Sequence, residues 1–100
     1  MNSTIAKYTL YEINEIIKET LQLISDKEQG INTSQVEKTY ELQAILNDLN
    51  KIKAQILTNT LPPKEQRFVS YEEFIIEEWG IRHTLGSRLL DLATKYTNSL

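Results

Sequence analysis

Apolar residues recur at steps of three and four along three stretches of the chain, as they do on one face of an α-helix. The first stretch predicts a helix from about Leu10 to Glu28. Its apolar face carries Leu10, Ile13, Ile17, Leu21 and Ile24, widened by Ile16 and Leu23. Gly30 follows where a left-handed C-terminal residue is common.

The second stretch predicts a helix from about Gln35 to Thr58. Its apolar residues follow the 3-4 spacing of a coiled-coil seam: Leu42, Ile45, Leu49, Ile52 and Ile56. The loop over 30–33 is short, so we expect the two helices to form an antiparallel hairpin. Leu46 and Leu57 lie off the seam and are free to contact a third helix or a second subunit.

The third stretch, over 71–97, contains two glycines within a helical stripe that includes Tyr71, Phe74, Ile81, Leu85, Leu89, Leu92 and Tyr96. We expect one helix bent at Gly80. The alternative is a break at Gly80, with a short helix over 71–79 and a second over 81–97. Pro62-Pro63 excludes helix from the linker over 58–69, where we expect Leu61, Phe68 and Val69 to be pinned to the core.

A hydroxyl residue followed three positions later by glutamate precedes each stretch, as in a capping box. The three pairs are Thr9 with Glu12, Ser34 with Glu37, and Ser70 with Glu73. We therefore expect an all-α fold. It is a helical hairpin packed against a third long helix, broken or unbroken at Gly80, forming a bundle of three to four helices in a single domain over residues 1–100.

The composition narrows the functional classes. The 100 residues include 40% hydrophobic and 25% charged residues, with a net charge of −3, no cysteine and one histidine. The mild negative charge disfavours a general nucleic-acid binder, and the lack of cysteine excludes disulfides and thiolate metal sites. We expect no cofactor, no metal and no membrane span. The N-terminus lacks signal-peptide features, so we expect a cytoplasmic location. Richness in Ile, Asn and Lys is associated with AT-rich genomes, which suggests a bacterial or phage origin.

Carboxylates give one candidate chemistry. Glu73 and Glu77 are four residues apart and share a helix face. They would bind a metal or a nucleotide if they converged with Glu12, Glu15 or Glu19 of the first helix. Pairing of Glu15 with Lys18, of Glu78 with Arg82 and of Asp91 with Lys95 would explain the charges without such a site. A carboxylate-based enzyme is therefore only the third hypothesis.

Residues 72–90 have a local likeness to a helix-turn-helix, in which a glycine in the turn precedes the recognition helix. In that hypothesis Arg82, His83, Ser87 and Arg88 contact DNA. Gly86 and Ile76 do not fit the motif's usual pattern, and four glutamates lie nearby. A DNA-binding regulator is thus the second hypothesis.

The favoured hypothesis is a small non-enzymatic protein-interaction module: an adaptor, inhibitor or immunity-type protein. Trp and Tyr are enriched at interface hot spots, and Trp79, Ile75 and Ile76 are the candidate partner-contact residues. For Trp79 a place in the core or at the edge of the bundle is the favoured interpretation, and contact with a partner is the alternative. Unassigned apolar residues favour a homodimer that completes a larger bundle. Tyr8, Tyr11 and Tyr40 are expected to cluster at one end of the hairpin.

Overall fold

The computed structural model describes residues 3–31, 36–80 and 82–100, and every regular element in these ranges is helical. The α-helices are α1 (Ser3–Glu28), α2 (Thr39–Leu57), α3 (Glu72–Phe74) and α4 (Thr84–Asn98). A 3-10 helix, Lys64–Gln66, lies between α2 and α3, and α3 continues as a π-helix over Ile75–Trp79. The predicted all-α fold, a small helical bundle, is confirmed.

Two ion pairs show that α4 runs antiparallel to α1. Glu12 near the start of α1 pairs with Lys95 near the end of α4, with 3.4 Å between the charged atoms. Glu19, two turns later on α1, pairs with Arg88, two turns earlier on α4. With its 26 residues α1 extends along most of the 42 Å length of the molecule, because an α-helix rises about 1.5 Å per residue.

Contacts at both ends of α2 show that it runs in the same direction as α4. The hydroxyl of Tyr96 donates to Oε1 of Gln55 at 2.7 Å, and the indole of Trp79 donates to Oε1 of Glu41 at 3.2 Å. Because α4 runs antiparallel to α1, and α2 runs in the same direction as α4, α2 is antiparallel to α1 as well. This is the antiparallel hairpin that the short connecting loop predicted.

The predicted seam of α2 forms the centre of the core. All five of its residues are buried: Leu42, Ile45, Leu49, Ile52 and Ile56. Of the two off-seam residues, Leu46 is also buried, whereas Leu57 remains exposed. Burying a leucine or isoleucine side chain stabilises a fold by roughly 1.5–3 kcal/mol, so this regular stripe determines where the other helices pack.

The buried face of α1 is shifted from the predicted one. Leu21 was expected on the apolar face, but its side chain is 51% exposed. The face that packs on α2 is centred on Ile13, Ile16 and Ile24, and it includes the fully buried Thr20. The hydroxyl of Thr20 donates to the carbonyl of Ile16 at 2.7 Å, and this bond satisfies a polar group inside an apolar contact.

The predicted cap at Thr9 is wrong. The first helix begins at Ser3 rather than Leu10, so Thr9 lies inside it. Its buried hydroxyl donates to the carbonyl of Ile5 at 2.7 Å, which is the usual bond of a threonine within a helix. Burial of Ala6 against the core explains the longer helix, because tertiary packing outweighs a local cap signal.

The start of α2 also differs from the prediction. Ser34 and Gln35 lie outside the described residues, and α2 begins at Thr39. The glutamate that reaches back to the helix start is Glu41, whose Oε1 accepts from the N–H of Lys38 at 3.0 Å. Glu37, which the capping pattern assigned to this role, instead lies against His83.

Ser70 does not cap the third helix. Both its N–H and its hydroxyl donate to Oδ2 of Asp48 at 2.7 Å, and α3 begins at Glu72. Because the hydroxyl is used as a donor toward α2, the predicted pairing with Glu73 is replaced by a tertiary contact.

The expected continuous helix over 71–97 is wrong, and the alternative break at Gly80 is correct. The N–H of Gly80 donates to the carbonyl of Ile75 at 3.2 Å, which closes the π-helix. Gly80 has a φ of 88°, in the region that favours glycine, and the chain leaves the helix there. The next helix begins at Thr84, whereas Ile81 lies outside the described residues.

The linker is held by polar contacts more than by the predicted apolar ones. Val69 is buried and Leu61 packs against the core as expected, but Phe68 is 67% exposed. The Nη1 of Arg67 donates to the carbonyl of Tyr96 at 2.8 Å, and the Nζ of Lys64 donates to that of Asn98 at 2.7 Å. These cations satisfy carbonyls at the C-terminal end of α4, where a helix attracts positive charge.

Candidate functional site

The N-terminal half of α1 presents two tyrosines to solvent. Tyr8 and Tyr11 are 72% and 68% exposed and lie three residues apart, so they are neighbours on one helix face. Together with Thr4 and Lys7 they line a groove of about 520 Å³. We call these four residues the α1 tyrosine surface.

A second, smaller groove lies on the other side of Tyr8, where α1 meets the end of α4. It has a volume of about 290 Å³ and is lined by Ile5, Tyr8, Thr9, Lys95 and Ser99. Tyr8 therefore stands as a ridge between two grooves. A ridge of this kind is accessible from both sides.

Tyr40 does not join this surface. It is 66% exposed but lies at the start of α2, the end of the bundle where Trp79 contacts Glu41. Tyr8 and Tyr11 lie at the opposite end, near Lys95. The expected cluster of three tyrosines is therefore wrong, because α1 and α2 run antiparallel.

The residues expected to contact a partner have different environments. Ile75 and Trp79 are buried, whereas Ile76 is 60% exposed. The ring of Trp79 lies 5.7 Å from that of Phe74 and 4.6 Å from that of His83, measured between centroids. In this fold Ile76 alone among the three presents a surface side chain.

The residues of the DNA-binding hypothesis also separate into two groups. Arg82 and Ser87 are exposed. His83 and Arg88 are each paired with a carboxylate, His83 with Glu37 and Arg88 with a glutamate of α1. The break at Gly80 that a helix-turn-helix requires is present, but half of its expected contact residues already have an internal partner.

The carboxylates of the enzyme hypothesis do not converge. Glu73 and Glu77 are exposed on α3 and the π-helix. On α1, Glu15 pairs with Lys18 at 3.2 Å as predicted, while Glu12 and Glu19 pair with cations of α4. Among residues 3–31, 36–80 and 82–100, no group of His, Asp and Glu is arranged to hold a metal ion.

Two other predicted ion pairs are replaced by contacts between helices. Lys95 pairs with Glu12 of α1 rather than with Asp91. Glu78 lies 3.8 Å from the Nζ of Lys38, at the start of α2, rather than pairing with Arg82. Spacing along one helix did not predict these partners, because the neighbouring helices bring other charges closer.

A connected polar group surrounds His83, where the start of α2, the π-helix and the start of α4 meet. The Nε2 atom of His83 lies 3.0 Å from Oε2 of Glu37, whose side chain is 1% exposed. The Nδ1 atom accepts a hydrogen bond from the N–H of Gly86 at 3.1 Å. We call His83, Glu37 and Gly86, together with Trp79 and Glu41, the His83 junction.

These contacts define the role of the imidazole. Because Nδ1 accepts the Gly86 N–H, its lone pair is occupied and the proton of the neutral ring is on Nε2, facing Glu37. His83 is thus the N-terminal cap of α4. His83 also lines a neighbouring pocket of about 270 Å³, together with Glu19, Leu23, Glu37, Thr84 and Leu85.

Glu41 is the second buried carboxylate of the junction, with only 1% of its surface exposed. Burial opposes its ionisation, but hydrogen bonds from the N–H of Lys38, from Glu78 and from the indole of Trp79, together with the charge of Lys38, lower its pKa. The hydrogen bond with Glu41 raises the pKa of Glu78.

The sequence did not reveal the junction. Glu37 was assigned to a capping box, and Glu41, which directly precedes the seam residue Leu42, is a charged residue whose burial the apolar spacing did not predict. The one available signal was the adjacency of Trp79 and His83 to a helix break. That signal does not identify the carboxylates: Glu41 lies 38 residues before Trp79 in the chain, and Glu37 lies earlier still.

No protein-family model matches the chain, and comparisons with curated proteins and with solved structures gave no match either. Of the helices that the structure describes, none is both long enough and apolar enough to span a bilayer.

Proposed function

We propose that this chain is a small non-enzymatic protein-interaction module, an adaptor, inhibitor or immunity-type protein, that binds its partner through the α1 tyrosine surface. The observation that carries the proposal is the exposure of Tyr8 and Tyr11, at 72% and 68%, on a helix that packs its isoleucines inside. Tyrosine offers a large amphipathic contact area at low entropic cost and is enriched at interface hot spots.

The partner we propose is a second copy of the chain. Tyr8, Tyr11, Glu15 and Lys18 follow at steps of three and four, so they form one solvent-facing stripe of α1. Two such stripes packed antiparallel place Lys18 of one copy against the tyrosines of the other, which is a favourable cation–π arrangement. A surface that complements itself in this way forms a closed twofold dimer.

The test is sedimentation equilibrium over a range of protein concentrations. We expect the parent chain to dimerise and the variant Tyr8→Ser/Tyr11→Ser to remain monomeric. Serine and tyrosine have similar helix propensity, so the substitution removes the aromatic surface without penalising the helix. Tyr40→Ser is the matched control, since it removes an equally exposed tyrosine from the opposite end of the bundle.

Two results would contradict the proposal. A parent chain that is monomeric at the highest attainable concentration excludes the second copy as partner. A double variant that dimerises as strongly as the parent, or a Tyr40→Ser control that loses dimerisation equally, shows that the α1 tyrosine surface is not the interface.

The break at Gly80 favours a second candidate function, a helix-turn-helix DNA-binding regulator. The exposed Arg82 and Ser87 follow the break and would contact the duplex. Binding to a short mixed duplex should then weaken steeply with salt, and Arg82→Ala should weaken it more than Lys53→Ala on α2. Absence of binding at low salt would exclude this candidate.

A further inference from the structure

His83 makes two contacts that place opposite demands on its proton. The hydrogen bond from the N–H of Gly86 requires a lone pair on Nδ1 and hence a neutral ring. The contact with the buried carboxylate of Glu37, at 3.0 Å, favours a charged ring. Protonation therefore strengthens one contact and abolishes the other, because a protonated Nδ1 cannot accept the Gly86 N–H.

We propose that His83 is a proton-operated latch: the neutral ring holds the first turn of α4 against Trp79, and the protonated ring releases that turn while staying on Glu37. The two outcomes are structurally separate, since Gly86 belongs to α4 and Glu37 precedes α2. The latch thus changes the contact between two elements without breaking the bundle.

The turn that the latch holds lies directly on the π-helix. A Cβ atom built on Gly86 would lie 3.0 Å from Cγ2 of Ile75 and 3.3 Å from Cε3 of Trp79. Ile75 and Trp79 are buried, and the adjacent Ile76 is exposed. Release of this turn would enlarge the exposed apolar patch at Ile76 by uncovering its two buried neighbours.

Charged groups on each surrounding element influence the ring. Glu37 contacts it directly, and Glu19 of α1 lines the same pocket but is neutralised by Arg88 of α4. Glu78 of the π-helix lies near Lys38, and Glu41 of α2 accepts a hydrogen bond from the indole of Trp79. Arg82 is exposed and precedes His83 in the chain. Of these groups, Glu37 is the anion in direct contact with the imidazole.

The experiment is an NMR titration of the full chain from about pH 8 to about pH 5, the range in which imidazoles ionise. The ring protons of His83, the Gly86 amide and the Trp79 indole are followed together. The chain has one histidine and one tryptophan, so both signals are unambiguous. We expect all three to change with one midpoint, and hydrogen-exchange protection of the first turn of α4 to fall about fivefold, as for a lost N-cap.

Two variants separate the latch from general acid destabilisation. His83→Asn keeps an acceptor for the Gly86 N–H and does not titrate in this range, so its Gly86 and Trp79 signals should be flat. Glu37→Gln removes the anion that favours the protonated ring, so the loss of protection should move to lower pH and be smaller within this range than in the parent. A Glu37→Gln response equal to the parent's overturns the role of Glu37.

Three results overturn the latch itself. The first is that the ring of His83 titrates but the Gly86 and Trp79 signals do not change with it. The second is that the ring remains neutral throughout the range. The third is that His83→Asn shows the same acid response as the parent. Each is visible in the same set of spectra.

Discussion

Oδ2 of Asp48 accepts two hydrogen bonds from Ser70, one from its N–H and one from its hydroxyl, both at 2.7 Å. This contact ties the end of the linker to the middle of α2. It also places Tyr71, the next residue, in the core, where its hydroxyl donates to the carbonyl of Leu89 at 2.9 Å. One carboxylate thus positions the chain where it enters the second half of the bundle.

Asp48→Ala should destabilise the fold by about 2–3 kcal/mol, because both bonds have an ionised acceptor and such bonds contribute roughly 1.5–3 kcal/mol. Urea denaturation measures the change. Asp91→Ala, on the exposed side of α4, is the control and should cost less than about 0.5 kcal/mol. Equal losses in the two variants would show that the Asp48–Ser70 contact is not stabilising.

Gly86→Ala and Gly80→Ala should both destabilise the protein, for different reasons. At Gly86 the added methyl would lie only 3.0 Å from Cγ2 of the buried Ile75, and overpacking of this kind costs about 1–3 kcal/mol against a helix-propensity gain of up to about 1. At Gly80 the space is open, but φ of 88° with ψ of 157° lies in a region essentially restricted to glycine, which costs an L-residue roughly 1–3 kcal/mol.

Near-ultraviolet circular dichroism distinguishes the two glycine variants. Gly86→Ala should alter the signal of Trp79, since the methyl would lie 3.3 Å from its ring, whereas Gly80→Ala should change stability alone. A Gly86→Ala variant as stable as the parent would mean that the first turn of α4 is not in close contact with the π-helix.

Glu41 should make the free energy of unfolding depend on pH in the acidic range. Its pKa is lowered from the ordinary value of 4.5, so its contribution is present above that value and is lost as pH falls through the folded pKa. Urea stability of the parent should therefore decline below about pH 4.5 more steeply than that of Glu41→Gln. The raised pKa of Glu78 acts in the opposite sense, because that contribution is present at low pH and is lost as pH rises.

The control for the acid profile is Glu73→Gln, which removes an exposed glutamate from α3. Its profile should parallel that of the parent. Identical slopes for Glu41→Gln and the parent would contradict the assignment of the lowered pKa to Glu41.

Leu21→Ser and Ile16→Ala test which face of α1 is buried. Leu21 is 51% exposed, so its replacement should change stability by less than about 0.5–1 kcal/mol. Ile16 is fully buried, and its truncation should cost about 2–5 kcal/mol. Thermal and urea unfolding give both values. A larger loss of stability for Leu21→Ser than for Ile16→Ala would show that the face predicted from the apolar spacing is the buried one.

Part of the fold was predictable because it depends on local pattern. The seam of α2 was identified residue by residue, since its 3-4 spacing matches a helix facing one partner. Pro62-Pro63 indicated the linker, because proline excludes helix. The buried face of α1 was predicted wrongly because apolar residues and threonines lie on several sides of that helix. Only the contact with α2 determines which of these side chains are buried.

The candidate sites were predictable only in part. Tyr8 and Tyr11 were noticed, but their separation from Tyr40 depends on the directions of the helices. Ile75 was a candidate for a partner surface because the apolar spacing assigned it no neighbour, whereas Trp79 was expected in the core or at the bundle edge, with a partner contact as the alternative. The close approach of Gly86 on α4 buries them.

The sequence by itself determined the helical class, the seam of α2, the linker and the alternatives at Gly80, because these follow from periodicity and from the backbone limits of proline and glycine. Only the tertiary structure decided which hydroxyls cap helices, which carboxylates are buried and which partners the charges take. Those outcomes depend on distances between residues far apart in the chain, such as Glu37 and His83, and helix periodicity carries no record of such distances.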